Sequence, residues 1–170
     1  MKKTYFAYVL LLLVAAACGG PTESVERQTD TLLLTAEGPL YDGSNTATYT
    51  WPVDLNTLLG EGYTAADIAK ARITGIRITA VNPDNLSLIN DITFQLAGSG
   101  VAMQKVGFLN PLPANANSVD LVLADEQKGL EAFFGLKEIT LVADLNLIQE
   151  FEDNLELHAQ LTFNFDLKSK

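Results

Sequence analysis

The chain contains one histidine, His158, and one cysteine, Cys18, so the two side chains most used in nucleophilic, acid–base and metal chemistry each occur once. A hydrolytic triad places a histidine between a nucleophile and an orienting acid. His158 instead alternates with Glu156 and Gln160, a pattern that belongs to the wet face of a strand. Ser99 sits between Gly98 and Gly100, but a nucleophile elbow needs Gly-x-Ser-x-Gly spacing and opens a helix. Gly98-Ser99-Gly100 reads as a hairpin turn. A single histidine and no thiol beyond Cys18 do not make a zinc site, and the glycine patterns that cradle phosphates or dinucleotides are missing. The sequence therefore assigns no catalytic residue and no cofactor.

Two weaker constellations remain. Glu150, Glu152 and Asp153, with Glu156 close by, fall in the connection before the last strand, where hard oxygen ligands could converge on calcium; a solvated turn is the plainer expectation. Tyr41, Tyr49 and Trp51 form an aromatic group. If exposed, they offer apolar rings with polar handles suited to stacking on sugars. Tyr49 and Trp51 share a strand face with Ala47 and Val53, which favours burial in the core.

The elements that must position these residues are written in alternation. From Leu155 to Leu167 every second residue is apolar, while Glu156, His158, Gln160, Thr162, Asn164 and Asp166 occupy the other parity. Successive strand side chains point to opposite faces, so this is a long strand with one dry face, of the kind found in antiparallel sheets. The same period recurs at Ile139–Leu147, Val119–Leu123 and Ile92–Leu96, and more weakly at 31–37, 47–53, 73–81 and 101–109. Turn residues such as Asp42-Gly43, Asn82-Pro83 and Asn110-Pro111 separate the strands. The expectation is an all-β, antiparallel, two-sheet β-sandwich of about eight strands. Two or three short helical insertions interrupt it. Asp54 caps Leu55–Leu59 with Gly60 as terminator, Thr64–Asp67 forms a capping box opening a turn through Lys70, and a third helix runs from its N-cap Asp125 to a left-handed stop at Gly135, with Phe133 or Phe134 pointing inward.

The amino terminus sets the address. Met1-Lys2-Lys3 is basic, residues 5–14 are apolar, and Ala15-Ala16-Ala17 are small, the three parts of a secretory leader. The apolar run is about 15 Å long as a helix, short of the ~30 Å hydrocarbon core. Ala15-Ala16-Ala17-Cys18 resembles the lipobox of type II signal peptides, with Ala15 where leucine is more usual. The resemblance implies a bacterial lipoprotein, cleaved between Ala17 and Cys18 and acylated on Cys18. The body is similar, in general arrangement, to small uncharacterised lipoproteins with a sandwich domain. The domain plan is then a leader at 1–17, a lipidated cysteine and flexible tether at 18–29, reaching up to roughly 40 Å when extended, and one domain at 30–170.

Removing Lys2 and Lys3 leaves nine cations against 21 carboxylates, a net charge of −12. The cations are scattered, which excludes nucleic acid as a partner. The expected partners are the membrane, through the N-terminal lipid, and a protein or glycan. The expected location is the cell envelope, on the outer membrane facing the periplasm. The expected role is a non-enzymatic binding or structural module, with a carbohydrate-binding accessory protein as the alternative and an envelope hydrolase third.

Overall fold

The computed structural model describes residues 22–169. The cleavage site and lipidation residue, Ala17 and Cys18, lie outside the described residues. Ten antiparallel strands account for more than half of the described residues: β1 (Thr22–Gln28), β2 (Leu32–Ala36), β3 (Gly43–Pro52), β4 (Ile68–Ala80), β5 (Ile89–Gly98), β6 (Val101–Leu109), β7 (Ser118–Asp120), β8 (Val122–Leu123), β9 (Glu138–Leu147) and β10 (Leu155–Lys168). Hydrogen bonding links them in the order β7-β4-β10-β2-β3-β9-β5-β6-β8, with β1 also paired to β10. Because β7 and β8 are consecutive in the chain, the two ends of this path meet, and the sheet nearly closes into a barrel-like shape.

Eight expected strands become ten for two physical reasons. The apolar series Val119, Leu121, Leu123 is shared between both edges. Val119 faces Ile78 on β4, Leu123 faces Gly107 on β6, and the amide of Leu121 bonds to the carbonyl of Ile76 between them. The second addition is β1, which corrects the expected tether. Thr22–Gln28 pairs with Thr162–Lys168 of β10 over seven positions. Its sequence, TESVERQ, contributes only Val25 to the interior, so no apolar period announces it. Backbone pairing carries this strand, and its charged side chains suit an exposed edge.

β10 is the spine of the fold. Its odd-numbered residues from Leu155 to Leu167 are all buried, as the alternation requires, and β4 lines its other edge from Leu157 to Leu167. Inside, Phe134 sets its edge against Trp51, Phe163 and Phe165 at 6.4, 5.3 and 4.9 Å between ring centres, the geometry that ring quadrupoles favour.

The helical insertions are shorter than expected. α1 (Leu55–Leu59) forms as read, with the Asp54 carboxylate accepting from the amides of Asn56 and Thr57, and Gly60 at φ +101° ending it. The Thr64–Asp67 box is present, yet it closes a single 3-10 turn, Ala65–Asp67. β4 begins immediately at Ile68, so residues 68–70 are strand. The third insertion is a 3-10 turn, Leu130–Gly135, entered through left-handed Gly129 rather than capped by Asp125. Gly135 is not left-handed. Both Phe133 and Phe134 are buried.

Candidate functional site

The sheet is interrupted between β2 and β3. These strands share one ladder position, Thr35 opposite Thr48. The amide of Val53 bonds to the carbonyl of Lys137, and antiparallel pairs alternate between bonded and non-bonded. Residues 53, 51 and 49 therefore direct their backbone groups toward β9, whereas 48, 50 and 52 direct theirs toward β2. Pro52 has no N–H to offer there, which suits it to an unpaired edge, and the strands part beyond Thr48.

On the other side of this seam the chain breaks between β1 and β2. Thr29 bridges the break: its amide donates to the Leu161 carbonyl at 2.9 Å, and its hydroxyl accepts from the Leu161 amide at 3.1 Å. Among the described residues, Thr29 is the one buried polar side chain.

A cleft of about 390 Å³ opens where the two interruptions face each other, lined by residues 28–32, Tyr49, Trp51, Pro52, Asp54, Thr57 and Leu58. α1 forms one lip. Tyr49 and Trp51 are half-buried and pack on the core, while also lining the cleft. Trp51 stacks on Phe163 with 6.1 Å between ring centres and 24° between planes, so its ring orientation is fixed from behind. The core expectation for these two residues was half right. Their parity does point inward, but the open seam leaves that inward face partly wet.

Asp54 has its carboxyl held below the usual carboxylate range, first by the Thr57 hydroxyl, then by the Thr57 amide. Asp30 stands on the opposite wall, exposed. The lining contains these two carboxylates and no lysine, arginine or histidine. Such a site disfavours phosphates and carboxylates. It offers hydroxyl, amide and carboxylate groups beside two aromatic rings, which matches a neutral, hydroxylated ligand with an apolar face.

Other residues singled out in the sequence lie elsewhere. Tyr41 is 65% exposed in the loop before β3 and does not join Tyr49 and Trp51. His158 sits on the outer face of β10, between Leu33 and Thr79. Ser99 turns the β5–β6 hairpin with Gly100 at φ +77°. Glu150, Glu152 and Asp153 are exposed, and among the described residues no group of three or more acidic, histidine or cysteine side chains is close enough to hold a metal ion. Sequence reasoning missed Thr29, read as the last residue of the tether, and Asp30 and Thr31, read only as the start of the domain and of its first strand. Pro52, following the alternation of β3, was the available signal that its outer edge goes unpaired.

No family model matches the chain, and no curated protein matches it. Among solved structures, a chain of Desmodium yellow mottle tymovirus aligns with 12% identity and a TM-score of 0.31, over 90% of this chain and 92% of that one.

Proposed function

We propose that this chain is a lipid-anchored protein of the bacterial cell envelope, held by Cys18 after removal of residues 1–17, and that its domain is a non-enzymatic binding module. Its ligand site is the cleft between β2, β3 and α1. The single observation that carries the binding role is the juxtaposition of Tyr49 and Trp51 with Asp30 and a set of threonines in a cavity without cations. The hydroxyl–carboxylate pair in that lining, Thr57 with Asp54, is engaged in capping α1, which supports recognition rather than turnover as its chemistry. A neutral saccharide is the ligand class that fits best. The outer membrane, facing the periplasm, is the proposed location.

A two-layer sandwich is the finer reading of the architecture. It is supported by the two weak seams, the single Thr35–Thr48 position and the split strand β7–β8, which divide the sheet into halves of five strands. The contact of Trp51 on β3 with Phe163 on β10 spans the interior between those halves.

Glycan-array screening followed by calorimetry tests the binding role. Saturable sugar binding that is lost in Asp30→Ala and weakened in Trp51→Phe, with unchanged circular dichroism, supports it. Binding unaffected by both changes removes the cleft as the site. The anchor has its own test: Cys18→Ser abolishes metabolic labelling with fatty acid, and labelling that persists in this variant excludes Cys18 as the lipidated residue.

A further inference from the structure

We infer that the domain rests on its membrane by one particular end, the end where β1 begins, and that anionic phospholipid headgroups are the surface this end faces. The inference builds on the lipid-anchor reading and adds an orientation to it. With β1 starting at Thr22, three residues separate Cys18 from the folded sheet. Four Cα–Cα steps span at most about 15 Å, against the roughly 40 Å available if residues 19–29 were a free tether. A leash that short cannot let the domain tumble, because β10 alone is 14 residues long and so about 45 Å before tilt.

The register says which end is held. Thr22 lies opposite Lys168, and Ile68 opposite Leu167, so the start of β1, the end of β10 and the start of β4 share one end of the barrel. The end of β3 and start of β9 lie there too, with α1 between β3 and β4. The charges are divided along the same axis. Lys70, Arg72, Lys128, Lys137 and Lys168 are exposed at the held end among carboxylates, with Arg72 paired to Asp166 and Lys128 to Glu126, which leaves Lys70, Lys137 and Lys168 outside those ion pairs. At the opposite end the four connections, residues 37–42, 81–88, 110–117 and 148–154, contain no lysine or arginine, while Glu37, Asp42, Glu150, Glu152 and Asp153 are exposed there. An anionic leaflet attracts nearby cations and repels carboxylates within about a Debye length. The held orientation therefore keeps the wholly acidic end farthest from the lipid.

Trp51, the only tryptophan, lies one residue before the end of β3 and reports on the held end. The lipidated protein is reconstituted in vesicles of phosphatidylethanolamine and phosphatidylglycerol carrying a dansyl headgroup acceptor, and energy transfer from Trp51 is compared with transfer from Tyr41→Trp in a Trp51→Phe background. Tyr41 belongs to the opposite end. Transfer several-fold stronger from Trp51 is expected, and it should fall when a ten-residue Gly/Ser linker is inserted after Gly20. Lys70→Glu with Lys137→Glu should lower Trp51 transfer at low salt on these vesicles and leave it unchanged on phosphatidylcholine. Equal or reversed transfer from the two ends, in protein that floats with the vesicles, overturns the orientation while the anchor stands. Charge reversal without effect removes the headgroups as the orienting surface. Lipid-modified protein that fails to float overturns the anchor reading, and the orientation with it.

Discussion

Replacing Thr29 with valine tests whether the break between β1 and β2 is held as described. Valine keeps the shape of threonine and the backbone bond from the residue-29 amide to the Leu161 carbonyl, 2.9 Å long. It removes the hydroxyl that accepts from the Leu161 amide at 3.1 Å. That amide belongs to the middle of β10, flanked by β4 on its other side, and its bond to Thr29 is buried. Leaving a buried donor unsatisfied costs about 1–3 kcal/mol. For a domain of this size each kcal/mol lowers Tm by roughly 2–4 °C, so a fall of about 2–12 °C is expected. Thr29→Ser keeps the acceptor and loses one buried methyl, about 0.8 kcal/mol, and should lie between valine and the parent. Urea unfolding gives the order, and hydrogen exchange at the Leu161 amide gives the cause, since protection there should fall in the valine variant and persist in the serine variant. A valine variant as stable as the parent, or more stable than serine, refutes the bridging role of Thr29.

Three further outcomes follow from the packing and the charges. A β-carbon at Gly107 would lie 2.8 Å from Ile76 Cδ1 and 3.3 Å from Leu121 Cβ, so Gly107→Ala should cost about 1–3 kcal/mol by overpacking, measured as a lower urea midpoint with unchanged slope. Deleting residues 22–28 should destabilise the domain and promote self-association, because it uncovers the β10 edge from Thr162 to Lys168; unchanged thermal stability and a monomeric sedimentation profile would return that segment to tether status. Asp54 and Asp120 both have lowered pKa values, through the Thr57 hydroxyl and the Arg77 guanidinium respectively. Folded-state values below the ordinary 3.8 mean that their stabilisation is complete above about pH 3.8 and is lost as pH falls through the folded values; the stability difference between the parent and Asp54→Asn should therefore shrink from pH 5 to pH 2, and a constant difference would contradict the assignment.

Much of the fold was legible because a half-buried antiparallel strand writes its burial into every second residue. Leu155 to Leu167 is the clearest case, and Ile139 to Leu147 nearly as clear. β1 was not legible, since an edge strand is selected through its backbone and needs few apolar side chains. Helical lengths failed for a related reason. The Thr64–Asp67 box is a correct local signal, but Ile68, Ala71 and Ile73 are committed to the interior of the sheet, and pairing with β10 ends the turn after one round. Asp125 gave way as a cap because Gln127 is engaged elsewhere: its side-chain amide donates to the Ile73 carbonyl at 3.1 Å and accepts from the Ile73 amide at 2.8 Å. A glutamine standing in for a missing strand leaves no pattern in sequence. The candidate site was legible in part. Tyr49 and Trp51 were identifiable as aromatics on one face, whereas their exposure depends on the seam with β2, a relation between segments that no local period encodes.

The placement of the cleft follows from how a nearly closed sheet handles its weak points. Where a strand is paired along both edges, as β9 is between β3 and β5, its inward side chains Ile139, Leu141, Ala143, Leu145 and Leu147 are all buried. The split strand β7–β8 is a second weak point, but Leu121 is inserted between β4 and β6 and fills it. At the β2–β3 seam, Thr48 is the last residue to pair across, Pro52 withholds a donor, and the chain opposite is breaking between β1 and β2. Two interruptions in register with each other expose the aromatic side of β3 without exposing the core behind it, because Phe163 and Phe134 close the floor under Trp51. A cleft made this way carries little cost to the rest of the fold. It also makes a sharp claim: substitutions at Asp30 or Thr31 should alter recognition while leaving stability within about 0.5 kcal/mol, as exposed positions do, whereas Phe163→Leu should disturb both together.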